Sequence, residues 1–469
     1  MTALHELALT EVARALRRRE VTAEAVTRAA LDRARVLQPK LNCFIAVDEG
    51  DALADARAAD AEAAKGQWRG PLHGVPLAHK DMYYRTGRVS TCGSAIRRDW
   101  VADHDSTALS RLRAAGALQL GTLNMAQFAF GPTGHNVHWG HCRNPWNPAH
   151  ITGGSSSGSG SAVGARIVYG ALGSDTGGSI RLPAGLCGVA GMKPTQGRIS
   201  RHGAMPLSFT LDTVGPLART VADCALLTRI IAGHDPEDPT TAREPVPDYP
   251  AWLGAPVDGI RVGIPRGYFD RDVHPEVAAA LDETARVFRS LGCRTVDVTM
   301  PDLDAWSAAI NAIMWPEAAS LHGPWIRARA GDYMPQVRAR IEMGAAMPAA
   351  AYLDALKFRA IALEQFAASV YADADVLLAP VVPFPVPTLA ETDIADSDRM
   401  STVLGDMTRF TRPFNLIGVP TLSVPGGFSR NGLPIGFQLA GRPWAESMLF
   451  RLGDAYQRVT DWHRRAPAD

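Results

Sequence analysis

At 469 residues, with 48 Lys+Arg balancing 48 Asp+Glu, the chain is long enough for a large core and has no charge excess to attract a polyanion. No apolar run approaches the ~20 residues that span a bilayer, and MTALHELALTEVARALRRRE lacks the basic start and apolar block of a signal peptide. The six cysteines form no CxxC pair and no spaced framework, which points to a reducing, cytoplasmic setting.

Residues 1–65 read as helices, with Thr10 and Thr22 as N-caps and an Ala-rich segment, 51–65, that stops at Gly66. Short apolar strands follow at Gly74–Leu77, Ala117–Gly121 and Ile167–Leu172, separated by helical segments such as Ser106–Ala115. That alternation predicts an α/β layered core. The first strand runs into Lys80, between an apolar lead-in and Tyr83 and Tyr84. A surface Lys–Asp pair is the plain reading of Lys80 and Asp81. Partial burial would instead depress the lysine's pKa and free a neutral amine.

From Asn124 to Trp146, His135, His138, His141 and Cys142 fall on a loop broken by Gly, Asn and Pro. The spacing does not form one helical face, so a pocket-lining loop with Phe128, Phe130 and Trp139 is expected rather than a metal site. Ile151 to Arg181 holds nine Gly and seven Ser among 31 residues, yet a mostly apolar stretch, Ala162–Leu172, lies between its two Gly/Ser clusters. A linker has nothing to bury; these are sharp turns fixed by a core. Ser155 follows Gly153-Gly154, and Ser179 follows Gly177-Gly178. A serine beside a nest of backbone N–H groups suits acyl transfer, in which the carbonyl oxygen becomes an oxyanion. G-x-G-x-x-x-G at 158–164 lacks the strand and spacing of a dinucleotide fingerprint, and no GK[ST] follows.

Beyond a helix within Arg219–Gly233, six prolines between Pro236 and Asp258 mark a surface excursion or lid hinge. Strands at Ile260–Ile264, Thr295–Val298 and Val376–Pro380 alternate with helices, including Pro275–Leu291. Two strand-plus-turn units and a closing helix, Glu446–Tyr456, end the chain. Size alone would allow two or three domains.

The lysine-bearing strand, GGSSSGSGSA and GSDTGGSIRLPAGLCGVAGMKPT together closely resemble the amidase signature family, with LDTVGPLART and LPIGFQLAG extending the likeness. The resemblance implies one amidase domain over 1–469, with helices 1–65 packed on it and a signature core at about 70–230. Its fold would be a central mixed, twisted β-sheet flanked by helices on both faces, with no cofactor and no metal. It implies a triad of Ser179 as nucleophile, Ser155 bridging after a cis peptide, and Lys80 as terminal base. The N–H groups of Thr176, Gly177, Gly178 and Ser179 correspond to the oxyanion hole, with Gly154, Asp175 and Arg181 as support. Substrate contacts are assigned to Tyr83, Gln127, Phe128, Ala129, Phe130 and Gly131; Gln127 stands where many relatives carry an acid. Helices between Trp306 and Leu356, with Met314, Trp315, Leu321, Trp325, Met334 and Met343, are candidates for the far wall.

The expected activity is hydrolysis of small to medium uncharged amides, aryl amides or N-aryl carbamates, through an acyl-enzyme, with possible side activity on carbamates and esters. The partners expected are a small-molecule amide or carbamate and at most a second copy, with no nucleic acid and no membrane. The alternative is the amidase subunit of a tRNA-dependent amidotransferase. A non-catalytic binding role is disfavoured because all three triad positions are filled.

Overall fold

The computed structural model describes residues 3–394 and 399–468. Eleven strands form one mixed sheet: β1 (Phe44–Val47), β2 (Pro76–Lys80), β3 (Leu118–Leu123), β4 (Gly170–Asp175), β5 (Ala190–Lys193), β6 (Thr213–Ala218), β7 (Arg261–Arg266), β8 (Arg294–Thr299), β9 (Val376–Pro380), β10 (Thr421–Phe428) and β11 (Pro434–Gly441). Their order is β1-β3-β2-β4-β6-β5-β10-β11-β9-β7-β8. The pairs β2–β3, β2–β4, β7–β8 and β7–β9 are parallel and the others antiparallel. Every residue of β2, β4, β5, β6, β9 and β11 is buried. Strands buried on both faces need cover above and below, which the helices supply.

Local rules explain most boundaries. Thr22 accepts from the Ala25 N–H as the N-cap of Ala23–Leu41, and Gly66 adopts a left-handed φ of 74° beyond the helix Glu49–Ala64. Thr10 is not a cap: the first helix, Leu9–Arg17, begins before it, and its N–H donates to Asp223. β2 starts two residues later than expected because Gly74 turns the chain at φ 82°. That shift makes Lys80 the last residue of the strand. β4 likewise begins at Gly170 and runs on to Asp175.

The run of small residues before β4 has a packing cause. Ser157–Gly164 is a fully buried helix lying against a second buried helix, Arg181–Cys187. A methyl group built on Gly158 would meet the Cys43 carbonyl and lie 2.6 Å from Asn124 N; one on Gly160 would lie 2.7 Å from Pro183 Cβ. Only residues without a Cβ allow this approach. The Pro-rich stretch 236–258 is pinned, not a free hinge. Arg198 donates to the Glu244 and Pro245 carbonyls, and buried Tyr249 packs against Phe450. Among the described residues, no helix is long and apolar enough to cross a membrane.

Candidate active site

β2 and β4 lie side by side, and their C-terminal ends carry the polar residues of the site. Lys80 is fully buried, with Nζ 2.7 Å from Ser155 Oγ and 2.8 Å from Ser174 Oγ. Burial pulls its pKa down to about 7, against the opposing pull of Asp212 and Asp175. Ser174 has no counterpart among the expected site residues. It lies on β4 five positions before Ser179, and only the β2–β4 pairing reveals it as a lysine partner.

The peptide bond between Gly154 and Ser155 is cis. A methyl group on Gly154 would lie 2.5 Å from the Gly131 carbonyl oxygen and 2.8 Å from Gly134 N, so this turn admits no larger residue. Ser156 ties the turn to its neighbours: its N–H donates to the Ser179 carbonyl at 3.3 Å and its hydroxyl to the Ser174 carbonyl. The two serine loops therefore touch, although no hydrogen bond joins the Ser155 and Ser179 hydroxyls among the described residues.

The loop carrying Ser179 is held by a buried ion pair. Arg181 places its five N–H donors on Asp175 (twice, both 3.0 Å), the Thr411 carbonyl, Gln438 and Asn415. Burial alone would push the Asp175 carboxyl up, but Arg181, Lys193 and Asn415 outweigh it and hold the group well below the usual carboxylate range. Asp175 Oδ1 accepts from Gly178 N–H at 2.8 Å, so that donor points into the brace. The N–H groups of Thr176, Gly177 and Ser179 have no partner among the described residues. Gly178 adopts φ 130°, and a methyl group there would press on Thr411 Cβ at 2.8 Å. Asp212, also outside the expected set, accepts from Thr176 Oγ1 at 2.5 Å and from the N–H groups of Leu207 and Ser208. A cleft of about 220 Å³, lined in part by Met82, Ser174, Met205 and Asp212, opens on this side of Lys80.

The residues expected to contact substrate divide. Gln127 has 0% exposure; its amide N–H groups meet Ser94, His138 and the Asp332 carbonyl, and its carbonyl oxygen accepts from Met334 N–H. It ties the 127 loop to segment 332–334. Phe128 and Ala129 adopt φ of 50° and 59°, a region costly for side-chain-bearing residues. The Phe128 ring is enclosed by His322, Trp325 and Tyr333. Phe130 lies under the Arg340 guanidinium at 3.7 Å. Tyr83 is buried, with its hydroxyl on the Gly173 carbonyl. Gly131 backs Gly154. Of the far-wall candidates, Trp325 and Met334 reach this loop, whereas Met343 is 52% exposed. The loop histidines have separate hydrogen-bond partners: His135 meets Thr392, His138 meets Gln127, and His141 accepts from Asn136 N–H, while the His135 and His141 rings pack edge-on at 4.6 Å.

A neutral amine beside one hydroxyl, with unpaired N–H groups beside a second, can move a proton and receive developing negative charge. Comparison with known proteins agrees with that chemistry. The family model Amidase matches residues 25–450. A glutamyl-tRNA(Gln) amidotransferase subunit from Roseiflexus sp. (strain RS-1) is 41% identical, over 100% of this chain and 99% of that protein. A solved structure described as a vestigial protein complex revealing the evolutionary origins of an s-triazine catabolic enzyme superposes with TM-score 0.90 at 35% identity, covering 96% of this chain and 98% of that one. A bacterial aryl acylamidase superposes with TM-score 0.89 at 25% identity, over 99% and 100%. The first relative is named as part of an amidotransferase acting on a tRNA. That corrects the expectation of a chain whose partners end at a small amide or carbamate and a second copy, without nucleic acid. From this match along nearly its whole length, and from the fold it shares with amidases, the chain belongs to the amidase signature family.

Proposed function

We propose that this amidohydrolase cleaves the C–N bond of a primary carboxamide through Ser179, with Ser155 and Lys80 as its proton relay, as the amidase component of a heteromeric amidotransferase. The observation that carries the chemistry is Lys80: a buried lysine depressed to about 7, 2.7 Å from Ser155 Oγ. Its lone pair accepts the Ser155 proton, and Ser155 in turn accepts the proton of Ser179 as that oxygen attacks the carbonyl. The N–H groups of Thr176, Gly177 and Ser179 face the resulting oxyanion. Returning the proton to the leaving nitrogen releases ammonia and leaves an acyl-enzyme, which water hydrolyses along the same relay. Full-length likeness to an amidotransferase component supports the assembly. The aryl-amide and N-aryl carbamate reading has less support, because the rings of Phe128, Phe130 and Tyr83 are occupied by other parts of the protein.

The test is Ser179→Ala, assayed for ammonia release from simple amides. We expect intact circular dichroism and a rate loss on the order of 10⁴–10⁶. A folded variant retaining near-wild-type turnover would reassign the nucleophile.

A further inference from the structure

β4 ends at Asp175, and Thr176 opens the loop that carries Ser179. Both residues are gripped by the segment that leads into β6. Asp212 draws this segment into a tight turn by accepting from the N–H groups of Leu207 and Ser208. The same carboxylate accepts from the Thr176 hydroxyl. Thr213, the next residue, donates its own hydroxyl to the Asp175 carbonyl at 2.9 Å. The start of the Ser179 loop is therefore as steady as segment 207–213.

That segment is held in turn by Glu317, an acid that the relay does not use. Glu317 lies 107 residues beyond Thr210, on the helix Asp304–Arg329, and is 2% exposed. One of its oxygens accepts from Ser208 Oγ and from Thr210 N–H at 3.1 Å. The other accepts from Thr210 Oγ1 at 2.8 Å and Tyr352 Oη at 3.0 Å. A buried carboxylate is costly unless donors meet it, and three of these four donors belong to Ser208 and Thr210. Packing the helix does not call for an acid here. Its buried face includes Ile310, Ile313, Met314 and Ala318, and an apolar residue at 317 would continue that face without burying a charge.

We infer that Glu317 is a positioning residue for the oxyanion hole, acting through Ser208 and Thr210 on Asp212, and through Asp212 on Thr176. Donors stabilise an oxyanion when they are fixed before the charge develops, since no reorganisation is then needed at the moment of reaction. The Thr176 N–H belongs to a residue anchored on Asp212, and Asp212 holds it still only if its own segment is still. Ser208 gives its N–H to Asp212 and its hydroxyl to Glu317, so a single residue joins the two carboxylates. The inference rests on the serine-amidohydrolase reading and not on the tRNA assembly.

The experiment follows ammonia release from butyramide by the full chain, with any copurifying partner, and inhibition by 1-propylboronic acid and by butyrate. The boronic acid takes the Ser179 oxygen onto boron while the serine proton passes to the relay, and the tetrahedral anion formed occupies the oxyanion hole. Butyrate reports ground-state binding alone. Losing one oxyanion donor outright costs about 10²–10³ in kcat. Glu317→Ala loosens one, so kcat should fall about 10- to 100-fold and the boronic acid should weaken by a similar factor, with butyrate within about twofold. Asp212→Asn should show the same pattern. The double variant should lose no more than the worse single variant, because the two acids act in series. Tyr352→Phe removes the Glu317 donor that lies outside segment 207–213 and should keep kcat within about twofold. If Glu317→Ala does not fold, Glu317→Gln decides, since its NH₂ must face groups that donate; about tenfold is then expected. A folded Glu317 variant with wild-type kcat, butyrate weakened as much as the boronic acid, losses that multiply in the double variant, or an equal loss in Tyr352→Phe overturns the inference. Ammonia release by Ser179→Ala would instead overturn the serine mechanism, so the two failures are distinguishable.

Discussion

Lys80 shows what one residue gains from its surroundings. An exposed lysine is a cation at neutral pH and cannot accept a proton; buried at the end of β2, it titrates near 7. The amine is charged below that value and neutral above it, so activity should fall about tenfold per pH unit once pH drops below about 7. Burial also moves Asp81 and Lys193 to about 7, so the limb needs an owner. Lys80→Met should lose several orders of magnitude in rate, and its residual activity should be flat through pH 7. A limb that persists in this variant belongs to Asp81 or Lys193. The lysine and the two serines were legible in the sequence because each sits in a distinctive short stretch. Ser174 and Asp212 were not. Their place in the site comes from partners far away in the chain, Lys80 and Thr176, and no local spacing records that.

At the scale of elements, helix and strand identity could be read from periodicity, while edges moved wherever a glycine or a partner strand fixed the register. β2 and β4 both slid toward their C-terminal ends, and those ends are where the site is built. The buried helix Ser157–Gly164 illustrates the opposite case, an element whose composition looks like a loop. Its glycines are sites of backbone contact, so Gly158→Ala should force Asn124 and Cys43 apart and cost about 1–3 kcal/mol or more. Gly50→Ala is the control: exposed, in a helix, with nothing within 4 Å of the added methyl, it should stabilise by up to about 1 kcal/mol. Denaturant midpoints compare the two. Equal midpoints would show that the helix contact yields easily.

At the scale of the whole molecule, the mixed sheet was foreseen in kind but not in extent, because eleven strands from all parts of the chain join through pairings that no sequence period encodes. The choice between a lone amidase and an amidotransferase subunit stayed open in the sequence for a related reason: neutral overall charge does not report on a local docking surface. If the amidotransferase reading holds, the tagged chain expressed at native level in its own host should copurify with a stoichiometric second polypeptide. Recovery of the chain alone, fully active on simple amides, would argue for an independent amidase. The brace on the Ser179 loop bears on the making of the protein as well. Lys80, Ser155 and Ser179 all leave the ribosome within the first 179 of 469 residues, but Thr411, Asn415 and Gln438, which complete the cage around Arg181 and Asp175, emerge near the end. Domains take shape from the N-terminus during synthesis, so a nascent chain holds its reactive groups long before their support. On the proposed mechanism, an unfinished or truncated chain would carry the three relay residues without the contacts that hold the Ser179 loop.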